Sequence, residues 1–188
     1  MDFLDLKRNL KINNSAFIEW DIALIADSST QLYIQAIRGY AVEFELNLRV
    51  HEYTLQDVYQ PSSGLYSNIF QTIILFLSPE KLLEEFYTLS EIEREDLSVT
   101  KLNFYNEFTE RFSDSSVILY NLRELNEGIW GNYANKHQAS FLFQLRSINI
   151  GLMRIANEHS YCYIQDMAIT QARSNVALCD PRLYTTAD

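Results

Sequence analysis

The sequence predicts a three-layer α/β domain: a doubly wound, mainly parallel five-stranded sheet, flavodoxin-like in its strand order 2-1-3-4-5, with helices on both faces. Three observations lead there. Short, continuously apolar runs recur along the chain, as strands buried on both faces require. Segments with helical spacing of apolar residues separate those runs. One further run alternates apolar and polar residues, the mark of a half-exposed edge strand.

Taken in order, residues 1–20 are expected to form an N-terminal arm or helix laid on a main domain that spans 21–188. Ile22-Ala23-Leu24-Ile25-Ala26 supplies the first strand. Asp27-Ser28-Ser29-Thr30-Gln31 follows, and then a helix from Leu32 to about Val42. The alternating run is Leu46 to Tyr53, which places the second strand at the sheet edge, outside the first. Thr72 to Leu77 is the third strand. Ser78-Pro79-Glu80 then starts a helix, because serine caps free N–H groups, proline fits the first helical position and an early carboxylate suits the dipole. Leu82, Leu83 and Phe86 are its buried side. Glu91 to Asp96 reads as a charged loop in solvent, followed by a helix through Leu102, Tyr105, Phe108 and Phe112. Val117 to Tyr120 is the fourth strand. Phe141, Leu145, Ile148, Leu152 and Ile155 stripe one face of a long helix, and Tyr161 to Ile164 is the last strand. Such alternation requires crossovers, which are nearly always right-handed.

Composition narrows the functional classes. With 188 residues, 47% hydrophobic and 13% aromatic, the chain can build one sizeable core. Its formal charge of −10, from 25 acidic and 15 basic residues, repels nucleic-acid backbones and anionic lipid, so neither is an expected partner. Cys162 and Cys179 form no disulfide framework and no metal-ligand spacing, which favours a reducing compartment. Charges at Asp2, Asp5, Lys7 and Arg8 interrupt the N-terminus, so no secretory signal is read there, and no apolar stretch reaches the roughly 18 residues of a membrane span. The expected address is the cytoplasm. No internal repeat, low-complexity tract, Walker loop or dinucleotide fingerprint is present.

Ligands of open α/β sheets bind outside the carboxyl ends of the strands, where the strand order reverses. This rule directs attention to Asp27-Ser28-Ser29, Ser78, Asn121 and Asp166, with Ser28, Ser29 and Ser78 expected to line one crevice. Two roles suit the serines after strand one. They cap the next helix, as such residues commonly do, or Ser28 is a nucleophile with backbone N–H groups near an oxyanion. A nucleophilic serine needs a base, and only His51, His137 and His159 are available. His51 falls on the edge strand, facing solvent, and the other two bracket the long helix. Gly128-Ile129-Trp130-Gly131-Asn132-Tyr133 is either a loop packed by its own aromatics or a lid that brings Trp130 over the crevice. Asp27, Glu127, Asp166 and Asp180 show no convincing metal-ligand spacing.

At Ile22 to Gln31 the chain resembles the N-terminal domain of FkbH-like proteins, a branch of the HAD superfamily. Pro61-Ser62-Ser63-Gly64-Leu65-Tyr66, Ser78-Pro79-Glu80-Lys81-Leu82 and Asp180-Pro181-Arg182-Leu183-Tyr184 agree in order and spacing. The resemblance implies an SGNH-hydrolase-like domain at the N-terminal side of a separate HAD catalytic domain. It places the SGNH nucleophile on Ser28 after Asp27, with Ala26 in the glycine position, and Asp180 in the C-terminal Asp-x-x-His. Two departures follow: Leu77-Ser78-Pro79-Glu80 replaces Gly-x-Asn-Asp, and Leu183 replaces the histidine. The implied function is that of an accessory domain without a complete hydrolase triad, involved in acyl or glyceryl transfer to an acyl carrier protein. An active serine esterase or acyltransferase using Ser28 is one alternative, and a structural module is another. Ser29, Ser78, Asn121, Trp130 and Asp166 are the expected substrate contacts. The HAD domain's Asp-x-Asp-x-Thr loop is not in this sequence, so magnesium is expected only in that other domain and no cofactor in this one.

Overall fold

Parallel strands must be joined by crossovers, and the chain supplies one after each strand. The computed structural model describes residues 2–12, 15–125 and 128–173. In chain order they form α1 (Phe3–Asn9), β1 (Ile18–Ala26), α2 (Gln31–Ala41), β2 (Leu46–Thr54), α3 (Leu55–Val58) and α4 (Gly64–Ser67). Then come β3 (Thr72–Phe76), α5 (Pro79–Thr88), α6 (Glu91–Glu95), α7 (Leu97–Arg111), β4 (Ser116–Tyr120), α8 (Phe141–Glu158), β5 (Cys162–Gln165) and α9 (Met167–Arg173). All strand pairs are parallel and the order is β2-β1-β3-β4-β5, as the apolar runs and the alternating edge strand predict.

Period-two alternation sorts the side chains to two faces. Ala23, Ile25, Ile73, Leu75, Val117 and Leu119 point to the larger core, where Phe86, Phe108 and Phe141 from α5, α7 and α8 are at most 1% exposed. Burying an aromatic of this size contributes about 2–3 kcal/mol, so these three rings dominate the adhesion of the helical layer. Ile22, Leu24 and Ile74 point the other way, against Tyr33 and Ile34 of α2. Outside α2 lies α1, whose Asn9 side chain donates to the Gly39 carbonyl (3.1 Å) and to Glu43 (2.8 Å). Gly39 is required at that crossing, since a Cβ there would lie 2.2 Å from the Leu6 carbonyl oxygen.

Two local expectations change. β1 begins at Ile18 and pairs with β2 from its first residue, so the strand reaches into the segment read as an arm. The apolar run missed Ile18 to Asp21 because this end of the strand is only partly covered. Glu91–Glu95 is a short helix, α6, and not a loop. A capping box closes it: Ser90 Oγ accepts from Glu93 N–H, and the Glu93 carboxylate accepts from Ser90 N–H at 2.8 Å.

Candidate functional site

Register brings three strand ends level. Ala26 pairs with Thr54 on one side and Phe76 on the other, so the chain segments after β1, β2 and β3 meet at one rim of the sheet. There Asp27 crosses the switch point: its carboxylate accepts the Ser78 N–H at 2.9 and 3.1 Å. Ser78 in turn caps α5, accepting from Glu80 N–H (3.2 Å) and donating to the Glu80 carboxylate (2.8 Å). Its hydroxyl is therefore committed to the helix end. Thr30 donates its hydroxyl to Glu52. Ser28 and Ser29 are exposed, and among the described residues neither hydroxyl has a hydrogen-bond partner.

A cleft of about 1110 Å³ opens at this rim. Of the residues picked out from the sequence, Asp27, Ser28, Ser29 and Ser78 line it together. Burial pushes the Asp27 carboxyl above the usual carboxylate range, opposed by the Ser78 N–H and by Lys81. Burial also raises the Tyr105 phenol, with the Asp27 charge adding to it. A neutral Tyr105 thus lies on the apolar floor, and a partly desolvated Asp27 stands at its edge.

Three expected contacts lie elsewhere. Asn121 donates to Asp166 (2.9 Å) and accepts from Met167 N–H (2.6 Å), while Asp166 accepts from Ile169 N–H (2.9 Å). The pair fastens the end of β4 to the start of α9, two strands away from the switch point. Leu122, the next residue, is the one that turns into the cleft. Trp130 does not line the cleft either: it stacks on His137 at 4.3 Å and on Tyr133 at 6.2 Å, which is the self-packed loop. Asp180, Leu183 and Glu127 lie outside the described residues.

No histidine lines the cleft among the described residues. His51 lies three residues before the end of β2, about 10 Å along the strand from the rim, and its ring is turned to Asp21 at 3.1 Å, two residues further back on β1 than its register partner Ala23. His159 contacts the Tyr161 hydroxyl at 3.2 Å, ahead of β5 and at the opposite end of the sheet. Among the described residues, no three His, Cys, Asp or Glu side chains are grouped to hold a metal ion. No helix among them is long and apolar enough to cross a membrane.

Sequence reasoning missed Thr54 and Gln56, although an edge strand beside β1 must end next to Ser28. It also missed Lys101, Tyr105 and Ile148, which come from α7 and α8 and carry no local signal of facing a cleft.

Fold and rim define the class: a doubly wound α/β domain with an Asp-Ser-Ser turn on a strand-end cleft. The chain belongs to the family described as FkbH, N-terminal domain, which it matches over residues 21–188. It is also similar to a crystal structure of the N-terminal part of the protein BF1531 from Bacteroides fragilis, described as containing a phosphatase domain and complexed with Mg. The TM-score is 0.87 and the identity 31%. That likeness covers 92% of this chain and 46% of the other, so this chain spans less than half of its neighbour's length. No curated protein matches the chain.

Proposed function

We propose that this chain is a non-hydrolytic, SGNH-like N-terminal domain that holds substrate for a HAD-type phosphatase-like domain of the same longer protein. The pair serves acyl or glyceryl transfer to a carrier protein. The observation that carries the reading is the cleft itself: Ser28 stands exposed on its wall, and no histidine among the described residues comes near enough to act as its base. The Bacteroides fragilis neighbour supports the rest, since its similar part belongs to a chain containing a phosphatase domain. Magnesium belongs, in this reading, to that second domain, a placement supported by the Bacteroides fragilis structure, which is described as containing a phosphatase domain and complexed with Mg.

A second reading, a serine esterase or acyltransferase, is favoured by the accessibility of Ser28 and its lack of any competing hydrogen bond among the described residues. One experiment separates the two. The protein and its Ser28→Ala variant are treated with a fluorophosphonate probe and with a short activated ester. The accessory reading expects equal, background labelling and equal ester turnover. Labelling that disappears in Ser28→Ala establishes the esterase instead. Calorimetry against a separately expressed phosphatase-type domain and an acyl carrier protein tests the partner half, which fails if neither binds.

A further inference from the structure

The strand-end cleft has a chemical bias that narrows what it can hold. Its floor is apolar, built by Leu77, Leu82, Leu122, Ile148 and Tyr105. Its charged rim carries four carboxylates, Asp27, Glu80, Glu84 and Glu85, and two ammonium groups, Lys81 and Lys101. Lys101 is held by Glu85 at 2.6 Å, and Glu80 engages Arg123 behind the rim. Even with Arg123 counted, negative groups outnumber positive ones. Among the described residues no arginine fork lines the cleft, so they do not offer the geometry that usually recognises phosphate or carboxylate in two hydrogen bonds.

A phosphorylated ligand entering here would bring two negative charges toward the partly buried Asp27 carboxylate, which the Ser78 N–H already occupies. The whole chain, at −10, adds to that repulsion. A neutral chain meets no such cost. It gains the burial of its apolar part on the floor, and its polar groups find the uncommitted hydroxyls of Ser28 and Ser29 at the rim.

We infer that the cleft binds a neutral, amphipathic acyl chain and excludes the phosphorylated form of a substrate. The inference rests on the proposed substrate-holding role and gives the ligand its chemistry. Within that role it divides the labour: a phosphate group is handled by the second domain, and only the neutral acyl portion is held here.

The test uses the whole 188-residue chain and isothermal titration calorimetry. The probes are a series of straight-chain fatty amides of increasing length, inorganic phosphate and glycerol phosphate. Amide affinity is expected to rise about fourfold per added methylene until the floor is filled, which is the value of burying one such group. Inorganic phosphate and glycerol phosphate are expected to give no heat of binding. Glu84 and Glu85 are both exposed on α5. The double charge reversal Glu84→Lys, Glu85→Lys is expected to create phosphate binding. Phosphate binding to the wild-type chain, or amide affinity that does not depend on length, overturns the inference yet leaves a substrate-holding cleft standing. Binding of neither class removes the cleft as a ligand site, and the proposed holding role with it.

Discussion

Gln144 is 1% exposed, and its side chain makes three hydrogen bonds. Its Oε1 accepts the Ser98 N–H at 2.8 Å, and its Nε2 donates to the carbonyls of Glu95 (2.9 Å) and Gln138 (2.7 Å). Ser98 lies in the first turn of α7, where N–H groups have no partner within the helix, and Asp96 provides no side-chain cap. A glutamine on α8 thus caps α7 and ties α6 and the loop before α8 to one point. Gln144→Leu keeps the volume and removes all three bonds. Losing a cap costs about 1 kcal/mol and the stranded Gln138 carbonyl about 1 kcal/mol more; the Glu95 carbonyl costs less, because Gln138 Nε2 also donates to it at 3.4 Å. Extra apolar burial offsets part of this, so the net loss is about 2 kcal/mol. For a domain of this size that lowers Tm by roughly 4–8 °C. Chemical denaturation with a linear extrapolation measures it directly. Gln144→Glu supplies a second signature: a carboxylate facing two carbonyls has its folded pKa raised, so this variant is most stable in acid and loses stability as pH rises. A Gln144→Leu loss below about 0.5 kcal/mol, or a Gln144→Glu variant that strengthens with rising pH, refutes the capping argument.

Three further outcomes follow from the coordinates. Gly39→Ala improves the helix propensity of α2 by about 1 kcal/mol, yet drives a Cβ into the Leu6 backbone at 2.2 Å. The seven-residue α1 has no stability alone, so its amides are expected to lose hydrogen-exchange protection while the sheet keeps it; retained protection in α1 contradicts this. Burial raises the Asp27 pKa above its ordinary value, so the contribution of this one group to stability is fully present below that ordinary value and is lost as pH rises through the folded pKa. Relative to Asp27→Asn, which keeps an acceptor for the Ser78 N–H, the wild type is therefore expected to improve on acidification, and denaturant titrations showing the reverse trend sink the assignment. Tyr33 and Tyr120 share a 2.5 Å hydroxyl contact beside Phe76. Either Tyr→Phe change alone is expected to cost about 1 kcal/mol and the double change less than the sum, as read in a double-mutant cycle; strict additivity speaks against the pair.

The sheet was legible because burial on both faces leaves a local trace. Ile22 to Ala26 and Ile73 to Phe76 are apolar without interruption since each side chain meets a packed layer, and the alternation of β2 reports its place at the edge. Helix starts were legible for the same local reason: Ser78 caps its own helix through atoms two residues away. The capping box at Ser90 and Glu93 was equally local and could have been read from its spacing alone.

Within the site, the sequence by itself determined the turn after β1 and the strand order, hence the meeting of Ser28, Ser29 and Ser78 at one rim. Only the tertiary structure decided which distant side chains join them. Lys101 and Tyr105 reach the cleft from α7, a helix of the layer packed on the larger-core face of the sheet, and Asn121 and Asp166 leave it because they are consumed in joining β4 to α9. Periodicity and capping act over a few residues, so they are written along the chain. A cleft is the gap left between elements after their cores have packed, and no short stretch of sequence records its walls.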